Sequence, residues 1–219
     1  MYWENGLHQA SRYRTENSRG PAPKAPSDVV AVGDLIRVDQ DDDGEWHLAQ
    51  VPAAQAALVS LNANDGAIVS IVGGMGFELS KFNRATQAQR QPGSNFKPFV
   101  YSAALASGFT AASIINDAPV VMEDSSLEDI WRPENDGGVF HGPTRLRWAL
   151  TKSRNLVSIR LLQQMGIGHA LDHIARFGFD PDELPGNLSL ALGSGVVTPL
   201  QMARGYAVLA NGGFLVDPY

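Results

Sequence analysis

The 219-residue sequence contains no cysteine, which excludes disulfides, thiolate metal sites and a cysteine nucleophile together. It has no Lys/Arg cluster and a formal net charge of −6, so a nucleic-acid partner is not expected. Long apolar runs are missing too. The longest, GAIVSIVGGMGF at 66–77, is too short and too glycine-rich to cross a bilayer. The opening MYWENGLHQASRYR has no continuous apolar stretch and does not read as a signal peptide. The GGMG at 73–76 lacks the third glycine and the Lys-Ser/Thr ending of a phosphate cradle, and reads instead as a flexible strand exit. With 44% hydrophobic and 18% charged residues, the chain has material for the core of one domain plus a small appendage.

What is present divides into three stretches. Residues 1–28 are polar and end in SRGPAPKAPSD, an extended linker or the end of an upstream segment. In 29–52, GDLIRVDQ and EWHLAQV flank a DDDG turn and predict one hairpin. From 53 onward the main domain begins with a second hairpin, QAALVSLN and AIVSIVGG around Asp65-Gly66. Its nearly unbroken apolar runs predict central strands covered on both faces.

Helices follow. SNFKPFVYSAALASG places Phe96, Val100, Ala103 and Ala104 at helical spacing and stops at Gly108. Pro98 is tolerated only in a first turn, so this helix must start close to Ser94. GPTRLRWALTKSRNLVSIRLLQQMG predicts two helices broken near Ser153 and ended by Gly166. GHALDHIARFG puts Leu171, Ile174 and Phe177 on one stripe. TPLQMARGYAVLANGG offers Thr198 as N-cap, Pro199 at the first helical position and Gly212 past the end. Residues 109–143, rich in Pro, Asp and Asn, read as one long loop, a length that is often functional. Strands first and helices after predict an α+β layout, an antiparallel sheet with packed helices.

Two polar groupings carry candidate chemistry. Ser94 and Lys97 stand at i and i+3, on one helix face, with the serine at an N-terminus that favours developing negative charge. A lysine becomes a base near neutral pH only if burial or a nearby cation lowers its pKa. A chain of this length carries about one S-x-x-K by chance, and a serine at a helix start is an ordinary N-cap. Both readings stand on spacing alone. Ser153 and Asn155 flank the expected helix break, where both can face a cleft, although Ser153 is equally an N-cap candidate. The SLN at 60–62 shares the Ser-x-Asn pattern but falls in an expected strand. His169 and His173, at i and i+4, lack a neighbouring glutamate and a third ligand, which favours a surface helix over a zinc site.

KFNRATQAQRQPGSNFKPFVYSAAL resembles the active-site serine segment of class A penicillin-binding proteins, the bifunctional peptidoglycan synthases, most closely those of the 1A type. DIWRPENDGGVFHGPTRLRWALTKSRNLVSIRLL is similar to the stretch carrying their second motif, and LSLALGSGVVTPLQMARGYAVLANGG to the helical stretch after it. The resemblance implies a serine transpeptidase/β-lactamase-like fold and a catalytic set of Ser94, Lys97, Ser153 and Asn155. It implies substrate contacts at Trp131, Asn135 and Gly142, and neither cofactor nor metal. Its substrates would be peptidoglycan stem peptides and lipid-linked precursors, with β-lactam antibiotics as inhibitors. The parent would be anchored at the periplasmic face of the bacterial inner membrane through a segment outside this chain.

One departure stands out. The family's third motif, Lys-Thr/Ser-Gly, occurs nowhere in the sequence, and GSG at 193–195 lacks the lysine. The expectation is therefore an internal piece of a larger synthase, without the third-motif strand, whose residues 29–52 are part of an OB-like insert. The alternative is a non-catalytic piece that only binds peptidoglycan or partner proteins.

Overall fold

The computed structural model describes residues 2–15, 17–120 and 131–219. The chain forms two compact units, Met1–Gln55 and Ala56–Tyr219.

The first unit is strand-rich. β1 (Tyr13–Thr15) pairs antiparallel with β2 (Ser18–Arg19). β3 (Arg37–Gln40) pairs antiparallel with β4 (Trp46–Ala49), forming the hairpin expected in 29–52. At its tip Asp41 Oδ1 accepts the backbone N–H groups of Asp43 and Glu45, so the acidic turn organises itself around a side-chain acceptor.

In the second unit, β5 (Leu58–Leu61) and β6 (Ile68–Val72) form the second hairpin. The structure corrects the expectation of two-sided burial. Val69 is 69% exposed, and Leu58, Ile71 and Val72 are exposed as well. Apolar runs reported β-propensity here, not two covering layers. After the short α1 (Arg84–Gln87), a 3-10 turn over Gly93–Phe96 leads directly into α2 (Lys97–Ala106), with Pro98 in the first turn as its chemistry demands.

The long 109–143 stretch is not one loop. Ile114–Asp117 forms β7, which pairs antiparallel with β8 (Gly142–Arg145). β8 opens on Gly142 and Pro143, both strand-disfavouring residues, which hid it from propensity reasoning. The middle of the stretch, 121–130, lies outside the described residues. The remaining helices are α3 (Leu146–Thr151), α4 (Asn155–Met165), α5 (Ile167–Ile174) and α6 (Pro199–Ala210). Their boundaries fall at the expected Ser153, Gly166 and Thr198. Gly166 takes φ +86°, and Thr198 with Gln201 forms a capping box.

α2 is the axis of the core. Phe96, Phe99, Val100 and Ala103 pack with Leu156, Ile159 and Leu162 of α4, Ile174 of α5, and Phe177, Phe179 and Leu190. Tyr101 and Ala104, on its other side, join Ile115, Leu146, Ala149, Val157 and Leu161. Phe99 sits edge-on to Phe177, Phe179 and Tyr206, with centroids 4.9–5.3 Å away. Lys97 lies on the first turn of this helix and is buried with it. The α+β fold therefore places a lysine in the wall of the core. No helix among the described residues is long and apolar enough to cross a membrane.

Candidate active site

Lys97 is 1% exposed. Its three ammonium protons have three acceptors. They are the Ser153 carbonyl at 2.7 Å, Ser153 Oγ at 3.0 Å and Asn155 Oδ1 at 2.7 Å. Residues 56 and 58 positions downstream thus converge on one nitrogen. Burial, and then the charge of Arg154, lower the Lys97 pKa from 10.5 to about 8. Ser94 lies one turn before Lys97, exposed in the 3-10 turn, and its carbonyl accepts the Lys97 N–H. An exposed serine thus precedes by one turn a buried lysine whose pKa is lowered to about 8.

The Ser153 turn explains how its hydroxyl and carbonyl both reach Lys97. Ser153 has φ +52°, the only non-glycine positive φ among the described residues. The Ser153 N–H donates to Leu150 O and the Arg154 N–H to Ala149 O. This is the Schellman closure of α3, with serine where glycine is usual. The left-handed turn ends α3, re-aims the chain and starts α4 at Asn155 two residues later.

A buried polar cluster holds this turn from behind. Asp117, at the end of β7, is fully buried. Its carboxylate accepts from Arg154 Nε and Nη2 at 2.9 Å, Asn135 Nδ2 at 2.7 Å and the His141 N–H at 3.2 Å. Arg154 Nη2 also donates to the Val139 carbonyl. Asn135 in turn caps α4 from a distant loop. Its Oδ1 accepts the N–H groups of Asn155 at 2.9 Å and Leu156 at 3.3 Å, which Arg154 does not cap with its own side chain. Asn155 Nδ2 donates to Glu134 O at 2.8 Å, fixing the amide so that its oxygen faces Lys97. Asp117 and Arg154 had no sequence signal. A buried ion pair 37 positions apart leaves no short-range pattern, and Asp117 sits in a stretch read as loop.

The expected residues therefore fall into two groups. Lys97, Ser153 and Asn155 meet, with Ser94 one turn away. Asn135 is buried and reaches the group through Asn155. Trp131 is partly buried and packs against the main core cluster. Gly142 has φ +66° and sits opposite Asp117 in the β7–β8 ladder. His173 donates to or accepts from Ser102 Oγ at 3.0 Å, joining α5 to α2 away from this site.

Residues 56–219 match the Penicillin binding protein transpeptidase domain, and residues 1–54 the Penicillin-binding protein OB-like domain. Penicillin-binding protein 1A of Pseudomonas aeruginosa is 55% identical over 217 residues, covering 99% of this chain and 26% of that protein. The chain thus spans about a quarter of the length of this curated relative. The crystal structure of Penicillin-Binding Protein 1A from Haemophilus influenzae superposes with a TM-score of 0.82 at 47% identity, over 87% of this chain and 28% of that one. PonA1 of Mycobacterium tuberculosis in complex with penicillin V gives a TM-score of 0.65 at 25% identity, over 76% of this chain and 47% of that one. The chain belongs to the penicillin-binding protein transpeptidase family, class A and 1A type, whose members work in cell-wall synthesis.

Proposed function

We propose that Ser94 is the nucleophile of a D,D-transpeptidase that cross-links peptidoglycan stem peptides through an acyl-serine intermediate. The observation that carries this reading is the convergence of Lys97, Ser153 and Asn155 beneath the exposed Ser94 turn. Neutral Lys97 takes the Ser94 proton as Oγ attacks the carbonyl of the terminal D-Ala-D-Ala bond. The Ser94 N–H supplies half of an oxyanion hole. When the C–N bond breaks, Ser153 passes the proton to the departing D-alanine amine. Asn155 orients the donor peptide and Lys97. An amine of a neighbouring stem peptide then attacks the ester, forming the cross-link and returning the proton to Ser94. In this reading Trp131, Asn135 and Gly142 form the substrate-side wall, with Asn135 working through Asn155.

A β-lactam resembles the donor and would acylate the same serine; the penicillin V complex of PonA1 supports this. Stem peptides and lipid-linked precursors place the reaction at the periplasmic face of the inner membrane, in a parent protein of which residues 29–52 form part of an OB-like insert. Fluorescent penicillin applied to the full-length protein tests the reading. Ser94 carries the adduct, and Ser94→Ala loses it; equal labelling of Ser94→Ala rejects Ser94 as nucleophile.

The missing Lys-Thr/Ser-Gly triplet favours a second reading for the 219 residues by themselves, as a binding piece without turnover. One oxyanion donor is worth about 3 kcal/mol of barrier, so the isolated chain is expected to acylate weakly or not at all. Intact-mass measurement decides: rapid stoichiometric acylation of the isolated chain removes this second reading.

A further inference from the structure

We infer that Gly193 and Tyr206 are positioning residues for Ser94, clamping its turn from below and from the side. The GSG at 193–195 fails as a third motif, yet it lies directly against the candidate nucleophile's loop. The Gly93 N–H donates to the Gly193 carbonyl at 3.2 Å, so the residue before Ser94 is hydrogen-bonded to this segment. The two backbones cross so closely that a Cβ on Gly193 would lie 2.1 Å from Gly93 O and 2.8 Å from Gly93 C. Gly193 also has φ +69°, closing the turn Leu188–Leu192, of which Leu190 and Ala191 are buried. On the far side of Ser94, the Tyr206 hydroxyl donates to the Asn95 carbonyl at 2.8 Å, its ring edge-on to Phe99. Arg90 and Val197 exchange both backbone hydrogen bonds, at 3.0 and 3.1 Å, and pin the approach to the turn. The stretch from Gly193 to Tyr206 thus fixes residues on either side of the exposed Ser94.

The consequence is geometric. A side chain at 193 cannot be met by a flexible neighbour, because the colliding atoms are backbone. The Ser94 turn must lift, and Oγ moves relative to Lys97 Nζ. A shift of about 1 Å at reacting atoms costs about a hundredfold in rate. Gly195 provides the contrast within the same loop. A Cβ there would meet Pro185 Cδ at 2.9 Å and Leu184 Cδ2 at 3.0 Å, away from Gly93.

The inference rests on Ser94 being the nucleophile, and the test separates the two. Stopped-flow acylation of the full-length protein by benzylpenicillin resolves the initial dissociation constant from the acylation rate. Gly193→Ala is expected to lower the rate about a hundredfold and leave the dissociation constant within about threefold. Gly195→Ala is expected to leave both within about threefold. Gly193→Asn, whose side chain tolerates positive φ, is expected to lose as much as Gly193→Ala, which assigns the effect to the collision. Should the 193 variants fail to fold, Tyr206→Phe removes one hydroxyl alone and is expected to lower the rate about fivefold with unchanged thermal stability. An unchanged acylation rate in Gly193→Ala, or equal losses in Gly193→Ala and Gly195→Ala, overturns the positioning role, as does a loss confined to the dissociation constant. For the case in which no 193 variant folds, an unchanged rate in Tyr206→Phe does the same. Labelling that survives Ser94→Ala overturns the underlying reading instead.

Discussion

At the scale of single residues, Lys97 and Ser153 each hold a state that is unfavourable by itself. Lys97 titrates near 8 in the fold against 10.5 ordinarily, because burial and Arg154 disfavour its charge. The folded protein therefore binds fewer protons than the unfolded chain between these values, and the cost of the buried charge, fully present below pH 8, is relieved as pH rises. Relative to Lys97→Met, the wild type is expected to gain about 3 kcal/mol between pH 7 and pH 10.5, measured by denaturant unfolding. A flat difference would mean that Lys97 titrates normally. The same proton governs activity. Acylation by penicillin should rise with pH through about 8, and Lys97→Arg, which cannot deprotonate, should lose the limb along with the rate. For Ser153 the left-handed backbone costs about 1–2 kcal/mol in any residue with a Cβ. Ser153→Gly is expected to stabilise the fold by about 1 kcal/mol while lowering acylation about a hundredfold or more through loss of the hydroxyl. Ser153→Ala loses the same rate without the stability gain. Thermal melts and labelling rates on both variants distinguish strain from chemistry, and equal melting temperatures for the two would reject the strain account.

At the scale of elements, the site is two helix starts and one distant prop. α2 brings Lys97, α4 brings Asn155, and the loop carrying Asn135 caps α4 and braces Asp117. Asp117→Ala leaves Arg154 buried without its carboxylate, a change of about 3–5 kcal/mol. Asn135→Ala strands two helix N–H groups and one Asp117 oxygen, and is expected to destabilise by about 1–3 kcal/mol. Chemical denaturation measures both; a loss below 0.5 kcal/mol, about the level of a surface change, would show that water replaces the prop. These contacts also mark where the sequence was legible. Helices announced themselves through local punctuation: Pro98, Gly166, and Thr198 with Pro199 bracket elements that the structure reproduces. That Ser153 and Asn155 flank a helix break was legible because a break carries its own signal; that Lys97 belongs with them came only from the family resemblance. β7, β8 and the Asp117–Arg154 pair were not, since their partners lie 25 to 37 positions apart and β8 contains glycine and proline. Nor could apolar content say that β6 would stay exposed on both faces from Val69 to Val72, because covering layers are a tertiary fact.

At the scale of the whole molecule, the chain's two units meet in sequence at a stretch with little to hold it. Residues 51–56 are exposed and contain neither helix nor strand, between β4 ending at Ala49 and β5 starting at Leu58. The boundary between the two units falls in this same stretch, between Gln55 and Ala56. A segment of small residues, VPAAQA, without ordered backbone pairing is a substrate for elastase, which needs an extended chain in its cleft. The second unit has its own core around Phe99, fully buried among the rings of Phe96, Phe177, Phe179 and Tyr206. Limited elastase treatment is therefore expected to cut within 51–56 and release a fragment starting there, identified by mass spectrometry. That fragment should keep a cooperative thermal transition, and Phe99→Ala should lower its stability by about 3–5 kcal/mol, since no facing side chain can fill the space of a phenyl ring. If the released fragment melts without cooperativity, the Phe99 cluster is not a self-sufficient core, and the lysine site it encloses depends on contacts beyond residues 56–219.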